Sequence, residues 1–142
     1  MRQNLPVTQK DFAFPADQTL ISITDLKGRI TYCNSNFVAV SGYTEAELLG
    51  QPHNLVRHPD MPEAAFADLW ATLQAGKPWR GFVKNRRKDG GFYWVLANVT
   101  PVFQGSNVVG YQWNLPFSKK LGERFAAHAN LGLTLLPRVR AL

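Results

Sequence analysis

Three prolines fall within the twelve residues Gln51-Pro-His-Asn-Leu-Val-Arg-His-Pro-Asp-Met-Pro62, and His53, Arg57, His58 and Asp60 stand among them. Proline fixes its own φ, offers no N–H and disfavours helix at the residue before it. The run therefore reads as a stiff, kinked connection that holds its side chains in set directions. That suits the wall of a ligand pocket better than a solvent loop. Asp60 is placed to cap the helix that follows Pro62. Capping does not account for Arg57 and His58 beside it.

The patterns on either side of this run set the fold class. Leu20–Thr24 alternates and is rich in β-formers, Asp25–Gly28 is a turn, and Arg29–Cys33 completes a hairpin. Asn34 or Ser35 can cap a short helix through Val40, ended by Gly42. Thr44 and Glu47 form a capping-box pattern for a second short helix, closed by Gly50. Pro62–Ala75 is a longer helix with Glu63 at its positive end and Gly76 as its stop. Phe66, Leu69, Trp70 and Leu73 share one face of it and read as core packing. Trp79–Asn85, Phe92–Pro101 and Val108–Leu115 then form a three-strand meander with turns at Lys88–Gly91 and Gln104–Asn107. This order predicts an α+β fold: a five-stranded antiparallel sheet with short helices packed on one face. Residues 1–16 form an extended or loosely docked N-terminal arm, 17–116 the folded domain, and 117–142 a C-terminal linker. A helix over Ser118–Asn130 serves either as a coupling segment or as packing on its own domain.

At 142 residues the chain has room for one core. Its net charge of +6 comes from 16 basic and 10 acidic residues, concentrated in Lys84–Lys88 and the tail. No nucleic-acid motif accompanies that charge, so an anionic cofactor or membrane surface is the better partner. Cys33 is the only cysteine, which excludes an internal disulfide. No apolar run reaches the roughly 18–20 residues that span a bilayer. The start lacks a signal-peptide pattern, and a reducing cytoplasm fits. No nucleophile motif emerges, so an enzyme is not expected. The histidines are too scattered for a convincing metal site, although one axial ligand, His53 or His58, would suffice for haem.

Asp25-x-x-Gly28, Tyr32-x-Asn34, Phe37, Ser41-Gly-Tyr43, Glu47-Leu-x-Gly50, Arg87-Lys-Asp-Gly90 and Trp94 together resemble a PAS domain over about residues 17–116. Within that family, Gly50–Pro62, Ala65-Phe-Ala-Asp68, Gly76, Pro78-Trp79 and Val83–Gly90 are similar to the FAD-binding PAS domains of bacterial aerotaxis receptors. The arm Asn4–Gln9 is similar to the same group. One departure is Gly110-Tyr-Gln-Trp-Asn114, where that group usually has Gly-Tyr-Met-Ser and a basic residue. In the light-sensing flavin branch, a Gln at the place of Gln112 bonds the flavin edge. The reactive Cys of that branch has its place taken here by His53, which argues against thiol-adduct photochemistry.

The resemblance implies a sensory domain that binds FAD and reports redox state, or oxygen indirectly, to chemotaxis signalling. A flavin ring needs apolar walls and a few amides. Alternation places Trp79, Gly81, Val83 and Asn85 on one strand face, with Val95, Ala97 and Val99 on the next strand and Gly110 and Gln112 on the last. Asn85 and Gln112 are the candidates for the ring edge, because an amide can donate or accept. Asn98 has the opposite parity. Arg57 suits the pyrophosphate bidentately. His58 or His53 would meet phosphate or adenine, Trp79 would cover the ribityl chain or a ring face, and Asn34 is a further polar contact. The plainer readings are a residue at the start of a turn for Asn85, a polar strand residue for Gln112, a core aromatic for Trp79 and structural hydrogen bonds for each His. Implied partners are FAD, a second copy through the domain or the arm, and the signalling domain of the same receptor. Membrane contact would come only through segments outside this chain. A cofactor-free dimerisation module and a haem gas sensor are the alternatives.

Overall fold

A computed structural model describes residues 4–15 and 17–117; the helix expected over Ser118–Asn130 lies outside them. Five strands, β1 (Thr19–Thr24), β2 (Ile30–Cys33), β3 (Trp79–Arg86), β4 (Phe92–Gln104) and β5 (Asn107–Pro116), pair in the order β2-β1-β5-β4-β3, every neighbour antiparallel. Three helices, α1 (Ser35–Ser41), α2 (Glu45–Leu48) and α3 (Glu63–Gln74), and a 3-10 turn at His53–Val56 fill the middle of the chain. The expected α+β architecture is observed. The first strand lies beside the last, so the β1–β2 hairpin and the β3–β4–β5 meander close into one sheet with β3 at an edge.

Local signals fix the short helices. Asn34 caps α1, its Oδ1 accepting from the Phe37 N–H at 3.0 Å. The same oxygen accepts from the Ile21 N–H (3.1 Å), and its amide donates to Thr19 O (2.9 Å), so one side chain joins the helix start to β1. Gly42 ends α1 at φ 78°, a left-handed conformation that costs other residues a Cβ clash. The capping box at Thr44 and Glu47 is present.

The core lies between one sheet face and the helices. Leu20, Val95, Ala97, Val99, Trp113 and Leu115 pack against Phe37, Val40, Leu48, Leu69 and Leu73, all buried. Each large side chain removed from water there contributes roughly 1.5–3 kcal/mol before entropy is counted.

Two expectations change. Asp60 does not cap α3; the residue before that helix is Pro62, with no side-chain cap, and Asp60 Oδ2 instead accepts from Lys84 Nζ at 2.9 Å. A cation on β3 offers a charge-assisted partner within reach. The arm, for its part, is closely docked. Thr8 N–H donates to Gly90 O, Phe12 N–H to Phe92 O, and Arg86 Nε to Pro6 O, at 2.8, 2.7 and 2.8 Å. Phe14 is buried against Tyr93 and Phe117.

Candidate functional site

The proline-braced run is a lip that crosses the helix side of the sheet. It starts beside the β1–β2 turn, where the His53 N–H donates to Gly28 O at 2.9 Å and Arg29 bridges Pro52. The 3-10 turn carries it across, and Arg57 then forms a backbone bridge to Asn85 on edge strand β3. Extended backbone alternates its side chains. Arg57 therefore turns inward, and His58 turns over the sheet edge toward Phe92, whose ring lies 6.2 Å away.

Beneath the lip is a cavity of about 200 Å³. Its sheet wall is Val83, Asn85, Ala97, Trp113 and Leu115, and its helix wall is Phe66, Leu69 and Trp70 of α3. Pro52, His53, Asn54, Val56 and Arg57 line it from the lip, and Lys27 and Gly28 from the β1–β2 turn. This is an apolar slot with few polar groups, the usual make-up of a small-molecule site.

Those polar groups are unequal. The Arg57 guanidinium lies over the Phe66 ring at 3.8 Å, and its Nε is buried with no acceptor among the described residues. Burial pushes the Arg57 pKa down, and the charge of Glu63 pushes it back up. Asn54 Oδ1 is likewise buried with no donor among the described residues. A buried polar group left unmatched costs about 1–3 kcal/mol. A ligand offering both an anionic acceptor and a donor would relieve both costs. Asn85 is buried, with its side chain against the Tyr93 hydroxyl on the paired strand. Burial raises the Tyr93 pKa far above its ordinary value, while Asn85 works against that rise.

His53 is held on all sides. Its ring stacks on Trp113 at 3.9 Å and 11°, meets Phe37 edge-on, and lies with Nε2 3.0 Å from Ser22 Oγ. Burial, with a smaller contribution from the Arg57 charge, lowers its pKa to about 3, so it is neutral near pH 7. Trp113 is fixed in turn by its Nε1 donating to Thr24 Oγ1 at 3.1 Å.

The structure thus brings Arg57, Asn85 and His53 to one cavity and sets the other four candidates elsewhere. His58 is buried beyond the β3 edge; its Nδ1 accepts from the Asp60 N–H at 3.0 Å. Burial lowers its pKa, helped by Lys84 and Arg86 and opposed by Asp60. Trp79 is fastened to α3 by its Nε1 donating to Asp68 Oδ2 at 2.9 Å, and lies so close over Gly81 that a Cβ there would collide with it. Asn34 is spent on the α1 cap and β1. Gln112 points to the opposite sheet face, where its amide donates to Asn114 at 3.2 Å. The inward residues of β5 are Tyr111, Trp113 and Leu115. Sequence reasoning assigned the strand's faces by Gln112 and missed Trp113, although the apolar alternation Tyr111-Trp113-Leu115 carried the signal. Asn54 and Lys27 carry no comparable signal in the sequence, and the helical spacing of Trp70 points to core packing alone.

The family profile for the PAS fold matches residues 30–114. The chain belongs to the PAS family. Its resemblance to the aerotaxis PAS domain is borne out: it is 58% identical to the aerotaxis receptor of Escherichia coli K12 over 105 residues, which are 74% of this chain and 21% of that protein. It is 34% identical to the nitrogen fixation regulatory protein of Klebsiella pneumoniae over 125 residues, 85% of this chain and 25% of that one. This chain therefore spans only a quarter or less of these two relatives' length. A structure described as "Flavin Analogue Sheds Light on Light-Oxygen-Voltage Domain Mechanism" superposes with a TM-score of 0.69 at 24% identity, covering 80% of this chain and 87% of that one, and shares the fold.

Proposed function

We propose that this PAS domain is a sensory module that binds FAD beneath the lip and reports its redox state to the signalling part of an aerotaxis-type receptor. The observation that carries the reading is the pair of unmatched buried atoms, Arg57 Nε and Asn54 Oδ1, in the wall of an apolar slot. The 58% identity to a protein named as an aerotaxis receptor and the fold shared with flavin-associated light-oxygen-voltage domains support it. The receptor, its signalling partner, a homodimer through this domain or the arm, and a cytoplasmic position belong to the same proposal. Among the described residues no helix is long and apolar enough to cross a membrane.

When bound, a flavin supplies a redox centre whose N5 edge accepts a hydrogen bond in one state and donates one in the other. Asn85 can answer either state by rotating its carboxamide. Its backbone is bridged to Arg57, and its side chain lies against Tyr93, so a rotation there is felt at the lip and in β4. A preference of about 1–3 kcal/mol between arrangements suffices for a signal. Arg57 would hold phosphate, and the apolar walls with Trp113 and Trp70 would exclude water from the ring. His53 is poorly placed to ligate haem iron, because its Nε2 is engaged by Ser22 and its face by Trp113.

An absorbance spectrum of the purified protein incubated with FAD tests the reading. Flavin bands that remain after desalting are expected, with FAD released on denaturation. A colourless protein would favour the cofactor-free module, and an intense Soret band the haem sensor.

A further inference from the structure

We infer that Lys27 is a specificity residue of this site, favouring a dinucleotide flavin over a mononucleotide by meeting the second phosphate at the cavity mouth. The inference rests on the flavin reading above. The cavity lining contains two cations, Lys27 and Arg57, and no carboxylate. They approach from opposite ends of the lip. Lys27 comes from the β1–β2 turn, tied to the start of the lip through the His53 N–H to Gly28 O bond of 2.9 Å. Arg57 stands at the far end, against β3. The 3-10 turn between them rises about 2 Å per residue, roughly 8 Å in all, so two long side chains can converge on ligand atoms between them.

The turn itself leaves Lys27 available. Asp25 Oδ1 accepts from the backbone N–H groups of Lys27 and Arg29, both at 2.9 Å, and fixes the turn. Asp25 Oδ2 closes on the Arg29 guanidinium at 2.9 Å, so the turn's one carboxylate is matched to Arg29. Lys27 has no ion pair with any described residue. An uncharged flavin gives neither cation a partner. A single phosphate satisfies Arg57, whose fork grips one anion in two places. Only a diphosphate brings a second negative group for a compact ammonium, which acts as a point charge.

Fluorescence titration of the purified chain with riboflavin, FMN and FAD, at low and high salt, tests this. Lys27→Gln should weaken FAD about 3–5-fold, the value of one partly solvated ion pair, and flatten its salt dependence. FMN and riboflavin affinities should stay within twofold of wild type, which also reports an intact cavity, and Lys27→Arg should restore the FAD preference. An unchanged FAD-to-FMN affinity ratio in Lys27→Gln would overturn the role of Lys27 while leaving flavin binding standing. A wild-type chain that takes up none of the three flavins would overturn the reading beneath it, and this inference with it.

Discussion

Asn34 and His53 show how much one side chain can decide. Asn34 makes three hydrogen bonds, to Ile21, Phe37 and Thr19, and joins the hairpin to the first helix. Asn34→Ala should lower stability by about 2–3 kcal/mol, the sum of a lost cap and an unmatched strand N–H. Asn34→Asp keeps the acceptor and should lose less. Urea denaturation of the three proteins measures this, and an Ala variant within 0.5 kcal/mol of wild type, the scale of an ordinary surface change, would refute it. His53 carries a pH signature. Its pKa falls from 6.5 to about 3 on folding, so the native state refuses a proton that the unfolded chain accepts. The stability from that mismatch is complete above pH 6.5 and drains as pH falls toward 3. At pH 5 the loss is about 2 kcal/mol, from 1.36 kcal/mol per unit. His58 shifts in the same direction and adds to the slope. His53→Gln should therefore flatten the stability profile between pH 6.5 and 4 without abolishing its slope. A variant profile parallel to that of wild type would show that His53 titrates normally.

At the scale of elements, the arm and the lip are coupled. The Asn4 amide donates to Asn54 O at 2.9 Å and to Arg57 O at 2.7 Å, so the arm clasps the 3-10 turn from outside. Within and just after that turn, the Leu55 and Arg57 N–H groups donate to Pro52 O and Asn54 O, at 3.0 and 3.1 Å. Asn4→Ala should raise hydrogen exchange of the 52–58 segment about tenfold, matching roughly 1.4 kcal/mol of lost local stability, and leave the β4–β5 ladder unchanged. Uniform acceleration across the sheet would mean the arm supports the whole fold. This coupling was not legible in the sequence, because a residue fifty positions away leaves no periodic trace. The short helices were legible, because the Asn34 cap, the Thr44–Glu47 box and Gly42 are local devices. Asp60 looked like a cap by the same local logic, and lost that role to a cation on a distant strand.

At the scale of the whole molecule, the sheet has two chemical faces, and the faces decide which amide reaches the cavity. The sequence made Asn85 and Gln112 look like a pair, since each is an amide and strand alternation put both on one face. Pairing across the sheet separates them: Asn85 opposes Tyr93 within the buried face, whereas Gln112 opposes Ile23 and Thr100 on the outer one. The one-residue parity of β5 was the hidden quantity, and it follows from Trp113 entering the core. With FAD bound as proposed, Asn85→Leu should move the flavin midpoint potential, because it would remove a hydrogen bond that differs between redox states. A difference of about 1–2 kcal/mol corresponds to roughly 20–40 mV for a two-electron couple. Gln112→Leu should leave potential and spectrum unchanged, and its effect should be confined to whatever docks on the outer face. Spectroelectrochemical titration of both variants separates the two faces. If Gln112→Leu shifts the potential as far as Asn85→Leu does, the two faces are not independent, and the sheet carries the flavin's electronic state directly to its outer surface.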